Sequence, residues 1–259
     1  LKNVEENKKS LNIRHLLVII IILIIIIAII VSIKHFTLKK VYSPPTSLAV
    51  QLPRFRLIDM DSIGDFGDRD SDGINNQKDI MLGAKKQLDR PARNIFLEED
   101  EPNYYQGGDP PGELAISTDI IARAFMEAGF DLREMIHEDI NENFDEYPLR
   151  KIWGQTKSDK NIDYRRIQNL EVFFGRNATH LSILFDSSDI EGLDQWLPGD
   201  IVLFDMDGDG FTDSAGIISD STTREQVPKV IYNYIDPGYT IEEDILREKN
   251  ITGHYRFPD

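Results

Sequence analysis

Cysteine is absent from this 259-residue chain, which excludes disulfides, thiolate metal sites and a cysteine nucleophile. Positive charge is scarce: 29 Lys and Arg stand against 45 Asp and Glu, a formal net charge of −16 at pH 7. The first forty residues are themselves net basic, so the remainder is more acidic still, which argues against a nucleic-acid partner. Histidine is rare, and beyond residue 40 only His137, His180 and His254 occur. None has a second histidine at helical ligand spacing, so a histidine metal centre finds no support. Apart from one isoleucine-rich run there is no low-complexity tract and no internal repeat.

That run covers residues 16–33 and is broken only by Ser32. At 1.5 Å per helical residue it spans most of a bilayer's hydrocarbon core, which predicts a transmembrane helix preceded by a short tail, 1–15. The residues after it, Val31 to Phe36, are bulky or basic rather than small, so an uncleaved anchor is expected in place of a cleaved signal peptide. Lysines and arginines flank both ends and leave the orientation open. Residues 34–60 contain Pro44, Pro45 and Pro53 and read as a stalk, with a folded domain at 61–259.

Two acidic stretches carry the strongest chemistry. In 68–79, Asp68, Asp70, Asp72, Ile74, Asn76 and Asp79 occupy positions one, three, five, seven, nine and twelve, with Gly73 at the turn. Alternate carboxylates converge on one hard cation only when the backbone turns sharply after them, so this is a calcium-loop pattern. In 205–213, Asp205, Asp207, Asp209, Phe211 and Asp213 repeat positions one to nine around Gly210, but Gly216 stands at twelve, which predicts a more open site. The plain alternative is a pair of solvated acidic turns. Calcium loops of modest affinity fill outside the cell, so the domain is expected to be extracytoplasmic on a single-pass membrane anchor.

Helical spacing covers residues 79–88, 116–129, 132–141 and 167–174, with Ile120, Ile121, Ala124, Phe125 and Ala128 forming one apolar face and Gly129 ending it. Residues 98–111 read as a surface loop. From residue 196 the period shortens, and strands are expected at 201–204, 215–219 and 230–234. Helices first and strands later predict an α+β domain with helices packed on an antiparallel sheet.

Longer stretches then fall into a recognisable order: Tyr104-Tyr105-Gln106-Gly107-Gly108, Ser117-Thr118-Asp119-Ile120-Ile121, Ala128-Gly129-Phe130-Asp131-Leu132, His137-Glu138-Asp139-Ile140, residues 161–170, Pro198-Gly199-Asp200-Ile201-Val202, Gly216-Ile217-Ile218-Ser219-Asp220 and Thr252-Gly253-His254-Tyr255-Arg256. Together, over roughly residues 65–258, they resemble a bacterial family, domain of unknown function 1287, placed with the NlpC-type cell-wall peptidases of papain-like fold. The resemblance implies a cysteine at a helix N-terminus and two histidines on facing strands. Those positions fall on Ser117, Ser214 and Tyr232.

A serine hydroxyl needs an adjacent general base, which neither Ser214 nor Tyr232 provides near neutral pH. Ser117 also reads as a helix N-cap. The expected protein is therefore a membrane-anchored, calcium-binding, papain-like domain that has lost catalysis and binds peptidoglycan peptides or a cell-envelope protein. Two alternatives stand beside it: an active cell-wall hydrolase using Ser117 with a base such as His254, and a calcium-dependent adhesion or signalling module. Asn177-Ala178-Thr179 is a weak glycosylation acceptor pattern.

Overall fold

In the computed structural model, which describes residues 56–58, 66–99, 101–193 and 195–258, the expected helices and strands form around one apolar helix face. The chain divides into units Leu1–Ser43 and Pro44–Asp259, and every described residue belongs to the second. The tail, the 16–33 run and nearly all of the stalk lie outside the described residues. No described helix is long and apolar enough to cross a membrane.

In chain order the elements are β1 (Arg56–Leu57), α1 (Asn76–Lys86), β2 (Arg93–Asn94), β3 (Leu114–Ala115), α2 (Ser117–Glu127), α3 (Leu132–Glu142), α4 (Leu149–Trp153), α5 (Ile167–Asn177), β4 (Thr179–His180), α6 (Ile190–Leu193), β5 (Ile201–Asp205), β6 (Ser214–Thr222), β7 (Pro228–Asn233), β8 (Thr240–Glu243) and β9 (Asn250–Arg256). Ile120, Ile121, Ala124, Phe125 and Ala128 are fully buried, as their spacing requires. The isoleucine and phenylalanine side chains each contribute roughly 1.5–3 kcal/mol when removed from water, and the alanines less. At Gly83 of α1 an added Cβ would lie 2.7 Å from the Ala124 carbonyl oxygen, so the absence of a side chain lets α1 and α2 approach closely.

The main sheet runs β4-β9-β5-β6-β7-β8, with β1 also paired to β6, and each of its pairings is antiparallel. Alternate residues face opposite layers. Ile201, Leu203, Ala215, Ile217 and Ile231 join the helices in one core, where Phe125, Phe130, Phe173, Phe174 and Phe257 cluster. Val202, Phe204, Ile218, Val230 and Tyr232 face a second core closed by Trp196, Ile245 and Leu246. The protein is thus a mixed α and β fold with helices on one face of an antiparallel sheet.

Sequence periodicity missed α4, α6, β4, β8 and β9 and the two-residue strands β1, β2 and β3, of which β1 lies in the expected stalk yet pairs with β6. In β9, Gly253 and the buried polar His254 interrupt the alternation that marks a strand, although this strand pairs with both β4 and β5.

Candidate functional site

Ser117 is the first residue of α2 and is 5% exposed. Capping is performed by Asp119, whose Oδ2 accepts the Ile116 N–H at 2.9 Å, so the expected N-cap role of Ser117 passes to its neighbour and Ile116 becomes the cap position. Asp119 also receives a two-pronged bond from Arg165, at 2.7 Å from Nε and 3.1 Å from Nη2, with both side chains buried. Burial raises the Asp119 carboxyl above its ordinary range, and the Arg165 fork and the Ile116 N–H oppose that rise. Thr118 Oγ1 donates to the Arg165 carbonyl at 3.0 Å, and Arg165 holds Asn103 through Nη1 and lies over the Tyr105 ring.

A cavity of about 210 Å³ opens at this helix start, lined by Ser117, Phe96, Arg165, Arg166, Gln168, Asp213, Asn233 and Tyr234 among others. Asp213, just before β6, accepts from the Met206 N–H at 3.0 Å and from the Tyr234 hydroxyl at 2.7 Å. Burial pushes its carboxyl up, the two donors pull it down, and Asp207 and Asp205 push it further up. Asn233 is buried and bonded to Asn94, Thr240 and the Ala92 carbonyl. Arg166 pairs with Asp163 at 2.9 Å and lies 4.0 Å from the Trp153 ring centre.

Of the three positions that the resemblance marks, Ser117 lines this cavity. Ser214 pairs across the sheet with Phe204, and Tyr232 with Gly216, so both share the face of the second core. The Ser214 hydroxyl is fully buried without a hydrogen-bond partner, and Tyr232 donates to Glu243 at 2.8 Å. Their chain neighbours Asp213 and Asn233 are the residues that reach the cavity. Among the described residues no histidine lines it. His254 has both ring nitrogens engaged elsewhere, 3.0 Å from Asp200 Oδ2 and 2.9 Å from the Ser182 carbonyl, and stacks on Trp196. His137 bonds Ser158 and Asn141, and His180 bonds the Gly175 carbonyl. Arg165 and Arg166 lay within the stretches that carry the resemblance and Asn233 beside the marked Tyr232, yet nothing in their spacing announced a shared cavity.

The acidic loops have matching geometry. Oxygens of Asp68, Asp70 and Asp72 lie within 4.8 Å of one another, as do those of Asp205, Asp207 and Asp209. Two oxygens each about 2.4 Å from a calcium ion are separated by at most about 4.8 Å, so either trio fits one ion. In both loops the first aspartate accepts the N–H groups of positions five and six, Asp72 and Gly73 on Asp68, Asp209 and Gly210 on Asp205. Positions four and six take positive φ in both: Ser71 at 64° and Gly73 at 94°, Gly208 at 81° and Gly210 at 91°. Burial pulls Asp205 upward, but the N–H groups of Gly210, Gly208 and Asp209 hold it below its ordinary value.

Asp79, in the first turn of α1, is pushed up to about 6 by burial and by the charges of Asp72, Asp70 and Asp68. Asn76 clamps the loop, accepting from the Arg69 N–H and donating to the Phe66 carbonyl. Ile74 and Phe211 occupy position seven, each N–H bonded to the preceding aspartate of its trio. Gly216 lies inside β6 and offers no side-chain ligand. The first loop docks on the end of α2: Arg69 Nε donates to the Gly129 carbonyl at 2.8 Å and its guanidinium lies over Phe130. The second links β5 to β6 and delivers Asp213 to the cavity wall.

Residues 84–257 match the model of a family described as "Domain of unknown function (DUF1287)". The uncharacterized protein YijF of Escherichia coli strain K12 is 35% identical over 187 residues, covering 71% of this chain and 82% of that protein. Two crystal structures of an N-acetylmuramoyl-L-alanine amidase from Bacteroides uniformis overlap 70% of this chain and 97% of theirs, at 12% and 13% identity and TM-scores of 0.37 and 0.36. With the family model spanning well over half its length, the chain belongs to the DUF1287 family.

Proposed function

We propose that the protein is a calcium-binding cell-envelope domain, anchored by the apolar run at 16–33, whose Ser117 cavity binds a cell-wall peptide or a partner protein without cleaving it. The observation that carries this reading is the lining of the cavity: a serine at the helix start and, among the described residues, no histidine to take its proton. Asp213 makes no hydrogen bond to Ser117; its two oxygens are held by the Met206 N–H and the Tyr234 hydroxyl. The papain-like arrangement is supported by the start of α2 lying across a cavity from the ends of β6 and β7. Soluble cell-wall muropeptides incubated with the domain in millimolar calcium are expected to be bound and recovered intact. Hydrolysis that disappears in Ser117→Ala would overturn the reading.

In the calcium part of the proposal, Asp68, Asp70, Asp72 and Asp79 hold one ion with the Ile74 carbonyl, and Asp205, Asp207 and Asp209 hold a second with the Phe211 carbonyl. The ion supplies charge compensation and loop rigidity. Calcium is expected to raise the melting temperature, and a rise with no change in muropeptide affinity would assign it a purely structural role. A pH test follows from Asp79. Its folded value of about 6 exceeds the ordinary unfolded value of about 3.9, so in metal-free protein the native state binds the extra proton between those limits. Stability of metal-free protein should therefore fall as pH rises from 4 to 6, relative to Asp79→Asn. Saturating calcium should reverse the trend, because the ion requires the ionised carboxylate. Identical pH profiles for the two proteins without metal would remove Asp79 from the loop's electrostatics.

A further inference from the structure

His254 is buried in β9, and both of its ring nitrogens face acceptors. Nε2 lies 3.0 Å from Asp200 Oδ2 and Nδ1 lies 2.9 Å from the Ser182 carbonyl oxygen. A carbonyl oxygen has no proton to give. Asp200 already accepts four other hydrogen bonds on its two oxygens, two of them from the Arg256 guanidinium, so it serves His254 as an acceptor as well. A neutral imidazole carries one N–H and cannot donate to both sides, whereas an imidazolium can. Trp196 stacks on the ring at 4.0 Å and 12°, an aromatic face that suits a cation. The charged groups of this network are Asp200, on the turn into β5, and Arg256 of β9; α1 brings the Gln77 amide, and the other two sides bring an indole and a carbonyl.

Ser182 begins a segment that connects β4 to α6 over the surface. The Leu181 N–H bonds the His254 carbonyl, and beyond it the bonds of Leu184 to Ser182 and of Ser188 to Asp186 close within the segment itself. Leu184 is 84% exposed, while Phe185 packs edge-on against Trp196 at 5.0 Å. We infer that His254 is a buried imidazolium latch: with a proton on each nitrogen it holds residues 182–189 against the sheet, and on losing one it releases them. The neutral ring keeps its proton on Nε2, because a hydrogen bond to a carboxylate is stronger than one to a carbonyl. Nδ1 then turns a lone pair toward the Ser182 carbonyl, and an attractive contact becomes a repulsive one. The latch is therefore closed at low pH and opens as pH rises, uncovering Trp196 as Phe185 leaves. None of its parts belongs to the Ser117 cavity or to either aspartate trio.

Hydrogen exchange on the full chain, corrected for the intrinsic effect of pH, tests the latch. Protection of residues 182–189, measured against β5 in the same sample, is expected to fall about tenfold or more between about pH 6 and about pH 9. Over the same interval the ring nitrogen NMR signals of His254 should pass from two protonated nitrogens to one. His254→Gln cannot titrate and is expected to abolish the pH dependence, whereas His180→Gln, at the neighbouring histidine of β4, should leave it in place. A His254 ring protonated on one nitrogen at about pH 6, or protection that stays constant across the interval, overturns the latch. So does a pH dependence that survives His254→Gln or vanishes in His180→Gln. Should His254→Gln fail to fold, the ring signals and the exchange of the unaltered protein decide by themselves.

Discussion

Asp200→Ala is expected to destabilise the domain by about 3–5 kcal/mol, the cost of leaving the Arg256 guanidinium and the buried donors around it without their carboxylate. Asp200 is fully buried and accepts five hydrogen bonds: Gln77 Nε2 at 2.8 Å, the Leu197 N–H at 2.9 Å, Arg256 Nε and Nη2 at 2.8 and 2.7 Å, and His254 Nε2 at 3.0 Å. These donors come from α1, from the turn before β5 and from β9, so one carboxylate joins three parts of the chain. At roughly 2–4 °C per kcal/mol for a domain of this size, the melting temperature should fall by about 10 °C. Asp200→Asn retains the shape and one acceptor oxygen and should cost less than alanine. A loss under about 1 kcal/mol for the alanine variant, measured by urea unfolding, would show that the network is dispensable.

Asp119→Ala should cost a similar amount and act on the candidate site as well. It strands the buried Arg165 guanidinium, removes the acceptor that caps α2 at Ile116, and frees the Asn103–Tyr105 segment that Arg165 holds. The expected loss is about 3–5 kcal/mol, with muropeptide binding weakened at least tenfold because Ser117 begins the uncapped turn. Adding Arg165→Met to Asp119→Leu should recover much of the stability, since an apolar pair of similar volume carries no stranded charge. Binding is not expected to return, because Arg165 itself lines the cavity. If the double variant is as unstable as Asp119→Ala alone, charge stranding is not the cause. The cap and the packing at the start of α2 would then carry the effect.

Legibility tracked how local each feature is. The acidic loops were readable because their geometry closes within about a dozen residues: Asp68 and Asp205 hold N–H groups four and five positions on, and the glycines at position six permit the turn. Helix α2 was readable because its apolar face repeats at helical spacing. The cap position moved from Ser117 to Ile116 because Asp119, fixed by Arg165, reaches back to the Ile116 N–H. The cavity itself draws on residues 94–96, 116–118, 165–168, 213 and 233–234. No pattern in one stretch reveals that these meet.

By itself the sequence determined the antiparallel helix-on-sheet class, the two aspartate loops and a serine at the start of α2. Those follow from short-range periodicity, turn chemistry and residue identity. The tertiary structure decided which side chains share the cavity with Ser117. Strand pairing between segments distant in the chain sets which face each residue occupies, and a shift of one residue exchanges the faces. The register Phe204 to Ser214 and Gly216 to Tyr232 therefore turns Ser214 and Tyr232 to the second core and delivers Asp213 and Asn233 to the site.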